Sequence, residues 1–389
     1  MFEKEGLNAL YAEHRDTLAK VHGVSEALRK RFYRMDDAIE CLMIAAMSGE
    51  AMVMMGPPGT AKSRLMRSFC NLLGLIPDSA LTGGSKGDAT SGAVKFSHGG
   101  GSASDGSRSI KLPFRSPHQI AEDMATAKAT SVADEEAYFE YLLTQFTEPS
   151  ELFGFYDLAK LNKEGLVRKD QNMMHKAQVV FLDEVFNASS AILNSLLTFM
   201  NERKFHDRGE VFETPLRLLV SATNHPPQEA TLGAVYDRFL LRCRVTNVAS
   251  EGVQQSDIVR LLEVGWQETH AADLDHEDDW TGLLDDLKAL QDDIDDRTKS
   301  GDLKIDPVHP MMANLTEMVS KMVKYELSDM SNRRLIKLAG LVLSMRLLRG
   351  AQEDADEIEM EVRDLDVISR FSLDRDDPSA QARVARELE

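Results

Sequence analysis

Apolar positions follow two different periods along the chain. Between Leu7 and Arg31 the residues Leu7, Leu10, Tyr11, Leu18 and Val21 recur at helical intervals. Met35 to Met47 continues as a second, more apolar helix that Ser48-Gly49-Glu50 closes. The pattern then changes to short continuous runs: Ala51 to Met55, Tyr138 to Phe146, Val179 to Leu182, and Leu216 to the polar end at Thr223-Asn224. Strands of a parallel sheet are covered on both faces and read this way. Helical patterns lie between them, over Lys62 to Leu75 (ended by Gly74 and Pro77) and over Ser189 to Arg203. Such alternation predicts an α/β fold with a parallel sheet flanked by helices. After about Ala249 only helical spacing remains, over Val253 to Thr269, Trp280 to Arg297, His309 to Leu327 and Arg333 to Arg349, so a small all-α domain is expected to follow.

Other stretches interrupt this order. Leu158 to Lys169, with Gly165 midway, reads as a surface hairpin or loop, and Phe205 to Pro215 as a hairpin turning at Asp207-Arg208-Gly209. Eight glycines fall between Gly83 and Gly106, which marks a Gly/Ser-rich insertion at about 77–134. The expected division is a helical segment over 1–31, an α/β domain over 32–249, a helical domain over 250–373 and a polar tail over 374–389.

Composition narrows the class. Hydrophobic residues at 43% and charged residues at 28% fit a globular protein. No run approaches the ~18 apolar residues of a membrane span, and Met1 to Gly6 lacks the basic and then apolar character of a signal region. Cys41, Cys70 and Cys243 have no metal-ligand spacing, so thiols in a reducing cytoplasm are expected. A net charge of −19 argues against broad binding to nucleic acid or anionic lipid.

The chemistry is concentrated at the ends of the apolar runs. After Met55 comes Gly56-Pro57-Pro58-Gly59-Thr60-Ala61-Lys62-Ser63, continued by Arg64 into a helix. This is the strand, loop and helix of a phosphate-binding loop, except that Ala61 stands where a glycine is usual. Backbone N–H groups surround a phosphate at the positive end of the helix. Lys62 suits the β and γ oxygens of ATP, and the Ser63 hydroxyl suits Mg²⁺. Val179 to Leu182 ends in Asp183-Glu184: the first fits the metal's shell, the second an attacking water. Asn224 ends the next run and can hold that water or serve as an ordinary turn residue before His225-Pro226-Pro227. Arg238, Arg242 and Arg244 stand close together, and any one of them can supply charge to a neighbouring subunit's phosphoryl group or make a surface ion pair. Phe32 or Tyr33 suits stacking on adenine or plain core packing.

With these motifs in this order, the chain resembles an AAA+ ATPase, more narrowly the MoxR group and its RavA-like branch. The stretches that carry the resemblance are GPPGTAKS (56–63), YLLTQFTEPSELFG (141–154), VVFLDEVFNASSAILNSLLTFMNERKF (179–205), LRLLVSATN (216–224), YDRFLLR (236–242) and SNRR (331–334). The RavA-like branch shares the alanine at the position of Ala61. The resemblance implies Walker A at Gly56 to Ser63, Walker B at Val179 to Glu184, sensor 1 at Asn224, an arginine finger at Arg238 acting in trans, and sensor 2 at Arg333 on a helical lid. It implies ATP with Mg²⁺, a homo-oligomeric ring that is hexameric in the family, a protein client, and a partner with a von Willebrand factor A domain. Leu158 to Lys169 and Phe205 to Glu213 would face the pore. The expected function is a chaperone-like remodelling ATPase. The alternatives are an ATP-dependent assembly scaffold with slow hydrolysis, and a DNA-directed motor using Lys160, Lys163, Arg168 and Lys169.

Overall fold

Four apolar runs become four strands of a five-stranded sheet in the computed structural model, which describes residues 1–77, 81, 137–157, 167–207, 210–227, 232–248, 254–270, 280–328 and 330–374. In chain order the strands are β1 (Met52–Met55), β2 (Tyr138–Leu142), β3 (Phe155–Asp157), β4 (Val167–Lys169), β5 (Val179–Asp183), β6 (Lys204–Asp207), β7 (Glu210–Glu213), β8 (Leu218–Thr223) and β9 (Leu241–Arg244). The main sheet has the order β2-β5-β8-β1-β9 and is parallel throughout. β3 pairs with β4, and β6 with β7, as separate antiparallel ribbons. The helices are α1 (Lys4–Glu13), α2 (Arg15–Arg31), α3 (Asp36–Ser48), α4 (Lys62–Leu72), α5 (Pro149–Phe153), α6 (Ser190–Glu202), α7 (Gly233–Tyr236), α8 (Gln255–His270), α9 (Leu283–Ser300), α10 (Met311–Lys324), α11 (Asn332–Gln352) and α12 (Asp366–Phe371).

The pleat sends successive side chains to opposite faces, and both faces are buried. Met52, Met54, Val179, Phe181, Leu218 and Val220 join a core built with α1 to α4 and α9 to α12. Val53, Met55, Val180, Leu182 and Leu219 join a second core with α5, α6 and α7. That explains why the strands are apolar at every position instead of at every second one.

Local differences from the sequence pattern have physical causes. The helix expected over Leu7 to Arg31 is two helices, broken at His14 (φ −104°, ψ 18°). The break falls in the gap of the apolar stripe between Tyr11 and Leu18, and the His14 ring meets Asp293 at 3.0 Å. The run Tyr138 to Phe146 stays a strand only to Leu142, and Phe146 is 89% exposed. β9 was hidden by its arginines. The Gly/Ser-rich insertion lies almost wholly outside the described residues, as does the turn at Arg208-Gly209. Asp374, the first residue of the expected polar tail, is held by Arg242 of β9 and by Arg334 of α11, the latter at 2.7 Å.

Candidate active site

β1 leads directly into the phosphate loop. A Cβ on Gly56 would stand 1.9 Å from the Val245 carbonyl oxygen, so the close approach of this loop to the strand beside it requires glycine. Gly59 (φ +83°) and Ala61 (φ +60°) are left-handed. A non-glycine residue there costs on the order of 1–2 kcal/mol, a tolerable strain for a small side chain. Ala61 offers no side-chain cap to α4, so the first-turn N–H groups are left to the loop and what it holds. The Lys62 ammonium donates to the carbonyls of Gly56 (2.7 Å) and Pro57 (3.0 Å) and to Thr60 Oγ1 (3.2 Å), which fixes it over the loop. Burial pushes its pKa down, while Asp183 and Glu184 oppose that shift.

The carboxyl ends of β1, β8 and β5 lie side by side, and β1 sits where the chain order in the sheet reverses. The Ser63 hydroxyl donates to Asp183 Oδ2 at 3.4 Å. Glu184 has a left-handed backbone (φ +54°), which takes it out of the strand's alternation and turns it toward Asn224. The Asn224 amide donates to Glu184 Oε1, and that of Asn187 to Glu184 Oε2 at 3.4 Å. Asn224 is therefore a partner of the catalytic candidate and more than a turn residue. Among the described residues no group of three or more His, Cys, Asp or Glu could hold a metal ion. One hydroxyl and one carboxylate suit Mg²⁺, which takes few protein ligands and completes its shell with phosphate oxygens and water.

Beside the loop lies a cavity of about 150 Å³, walled by Phe32, Tyr33, Thr60, Arg64, Val248 and Leu261. Its position suits a nucleotide base. Phe32 itself is buried in the core, whereas Tyr33 donates to Asp257 Oδ1 at 2.7 Å and Arg34 to the same atom at 3.1 Å. Asp257 also accepts from the Gln254 N–H and so ties the start of α8 to this wall. Hydrogen bonds to a charged group contribute about 1.5 kcal/mol or more. Asp257→Ala is expected to weaken ATP binding about tenfold with little change in maximal turnover, as read by fluorescent-nucleotide titration beside steady-state kinetics. An equal loss in both would place Asp257 in the chemistry instead.

Arg238 and Arg333 are elsewhere. Both line a cavity of about 220 Å³ with Glu50, Ala51, Leu216 and Leu240, residues that precede β1, β8 and β9. The four residues of β1 separate this end of the sheet from the phosphate loop by roughly 13 Å. Arg333 donates to Asn201 Oδ1 at 2.7 Å, and no phosphate-loop residue lines the cavity. Arg242 is buried, bonded to Asp374 and to the carbonyls of Leu373 and Tyr236, so it is structural. Arg244 is paired in register with Met55, at the phosphate-loop end. Arg168 donates to the carbonyls of Phe153 and Gly154 and to the Tyr156 hydroxyl, which ties the β3–β4 ribbon to α5. Lys160 and Lys163 lie outside the described residues.

A parallel sheet in this order, with a phosphate loop after β1 and acids after β5, defines the AAA+ class of P-loop ATPases. Within it the chain belongs to the MoxR family. Residues 19–77 and 119–292 match the model of the MoxR domain in the MoxR-vWA-beta-propeller ternary systems. The chain is similar to Uncharacterized protein MJ0079 of Methanocaldococcus jannaschii, 30% identical over 238 residues, covering 61% of this chain and 55% of that protein. It is also similar to Uncharacterized protein MJ0812 of the same organism, 32% identical over 230 residues, 58% of this chain and 54% of that one. The chain thus spans about half the length of both relatives. The crystal structure of a candidate ATPase from Cytophaga hutchinsonii has the same fold, with a TM-score of 0.53 at 12% identity, covering 98% of this chain and 94% of that one.

Proposed function

We propose that the chain hydrolyses ATP with Mg²⁺ at interfaces between copies of itself in a closed, six-membered ring, and uses the turnover to remodel or assemble a protein client. One observation carries the reading. The phosphate loop and its acids occupy one end of the sheet, while Arg238 and Arg333 occupy the other. This separation supports a site completed by a second copy, which lends both arginines in trans. Lys62 and the first-turn N–H groups of α4 bind the β and γ oxygens. Ser63 and Asp183 hold Mg²⁺, which when bound neutralises charge on those oxygens. Glu184, aligned by Asn224, orients the attacking water and accepts its proton.

The finer placement in the RavA-like branch rests on the Ala61 position and the motif strings. A von Willebrand factor A domain protein is the proposed partner, supported by the systems named in the matching family description. A cytoplasmic location is proposed from the three cysteines, all unpaired and buried. Among the described residues no helix is long and apolar enough to cross a membrane.

Glu184→Gln is expected to keep ATP affinity and lose turnover by about 10²–10⁴-fold, the usual weight of a positioned base. Purified with ATP, it should retain a client that Lys62→Ala does not. If the two variants capture the same proteins in the same amounts, the nucleotide-driven remodelling reading fails.

A further inference from the structure

Glu184 is held at both oxygens of its carboxylate, and the second hold comes from a residue with no role so far. The Asn224 amide donates to Oε1 from just past β8. The Asn187 amide donates to Oε2 at 3.4 Å from only three residues along the chain. Between them lies one short turn over Val185–Asn187, closed by the Asn187 N–H on the Glu184 carbonyl at 2.9 Å. In a 3₁₀ turn, side chains three apart eclipse, which brings Asn187 over Glu184. The core anchors this turn. Val185 is fully buried, and the Phe186 ring meets Tyr236 edge-on at 5.8 Å and Phe239 at 6.2 Å. The Glu184 N–H also donates to Asp183 Oδ1 at 3.0 Å. The backbone on both sides of the acid is thus fixed, while the Asn187 side chain itself is exposed.

The last torsion of a glutamate is broad, so a carboxylate held at one oxygen still turns. Donors on both oxygens define its plane. An ionised carboxylate has about four acceptor sites, so two amides leave room for a water and its proton. Attack by that water depends on the plane, because a misplacement of about 1 Å can cost 10²-fold in rate. We propose that Asn187 is a positioning residue for hydrolysis: with Asn224 it sets the plane of the Glu184 carboxylate that aims the attacking water. The inference rests on the ATPase reading above and adds to it a residue that acts only through Glu184. Nucleotide binding does not depend on it, since Lys62, Ser63 and Asp183 are held by other partners.

The test is steady-state ATP turnover of the full chain with Mg²⁺. Asn187→Ala is expected to lower kcat about tenfold, the weight of one hydrogen bond to a charged group, and to leave KM within about twofold of the parent. Asn187→Asp keeps the shape but replaces the donor with a like charge, so its kcat should fall at least as far. The discriminating step is a double-substitution cycle. In a Glu184→Gln background, Asn187→Ala should change the residual rate by less than about twofold, because the group it positions no longer acts as a base. A merely structural role would lower the rate by the same factor in both backgrounds. That result, or an Asn187→Ala kcat that is unchanged or raised, overturns the proposal. Exposed positions tolerate such substitutions, and the unfolding midpoint of each variant checks that it is folded. An active parent matched by Asn187→Ala sinks this inference alone. A parent without turnover sinks the ATPase reading, and this inference with it.

Discussion

Arg238→Ala is expected to bind ATP as tightly as the parent chain and to hydrolyse it about 10³–10⁵-fold more slowly, the range over which arginine fingers act. Affinity survives because the loop, Ser63 and Asp183 are untouched at the other end of the sheet. Mixing supplies the decisive comparison. A Lys62→Ala chain lacks a working loop but presents an intact Arg238, so an equimolar mixture of the two inactive variants should recover part of the turnover. Parent turnover per chain should also rise with protein concentration, as the proposed intersubunit site requires. A mixture as inactive as its components, together with a concentration-independent rate, would refute the intersubunit site.

Asp374→Ala is expected to destabilise the fold by about 3–5 kcal/mol, the cost of leaving a buried charge without its counter-ion. Two such charges are involved. Arg242 and Arg334 are 3% and 2% exposed, and both donate to this one carboxylate. Burial alone would push Asp374 up, but Arg242, Arg334 and Ser328 outweigh it and hold it below the usual 3.8. An acid held down in the folded state contributes stability that is complete above its unfolded pKa and lost as pH falls through the folded one. The gap between parent and variant in urea unfolding should accordingly be full near neutrality and shrink below about pH 4. Replacing both arginines by methionine in the Asp374→Ala background should return much of the loss, because the deficit comes from orphaned guanidiniums. A variant within about 1 kcal/mol of the parent, the scale of exposed ion pairs, would show that the cluster is hydrated.

The parallel sheet and its phosphate loop were legible because both depend on contiguous residues. Four apolar runs, each ending in Gly56, Asp183, Asn224 or a turn, carry their own signal. β9 was not legible: Leu241-Arg-Cys-Arg244 looks half polar, and Arg242 enters the interior only because Asp374 neutralises it from 132 residues away. Asp257 was invisible for the same reason, since its partner Tyr33 lies 224 residues earlier. Arg238 and Arg333 were each visible as candidates, but nothing local says that they share a cavity far from Lys62. Local pattern marks the phosphate loop and its acids, whereas only distant pairings place Arg238 and Arg333 in one cavity.

The shared carboxylate at Asp374 has a mechanical consequence. Arg334 follows Arg333 on α11, and Arg242 stands four residues beyond Arg238 at the edge of the sheet, so one acid ties together the segments that carry both arginines. A displacement of α11 is therefore expected to reach β9 through this shared carboxylate. In the ring proposed above, a stroke that displaces α11 would swing Arg333 and Arg238 together, as the two prongs of one fork.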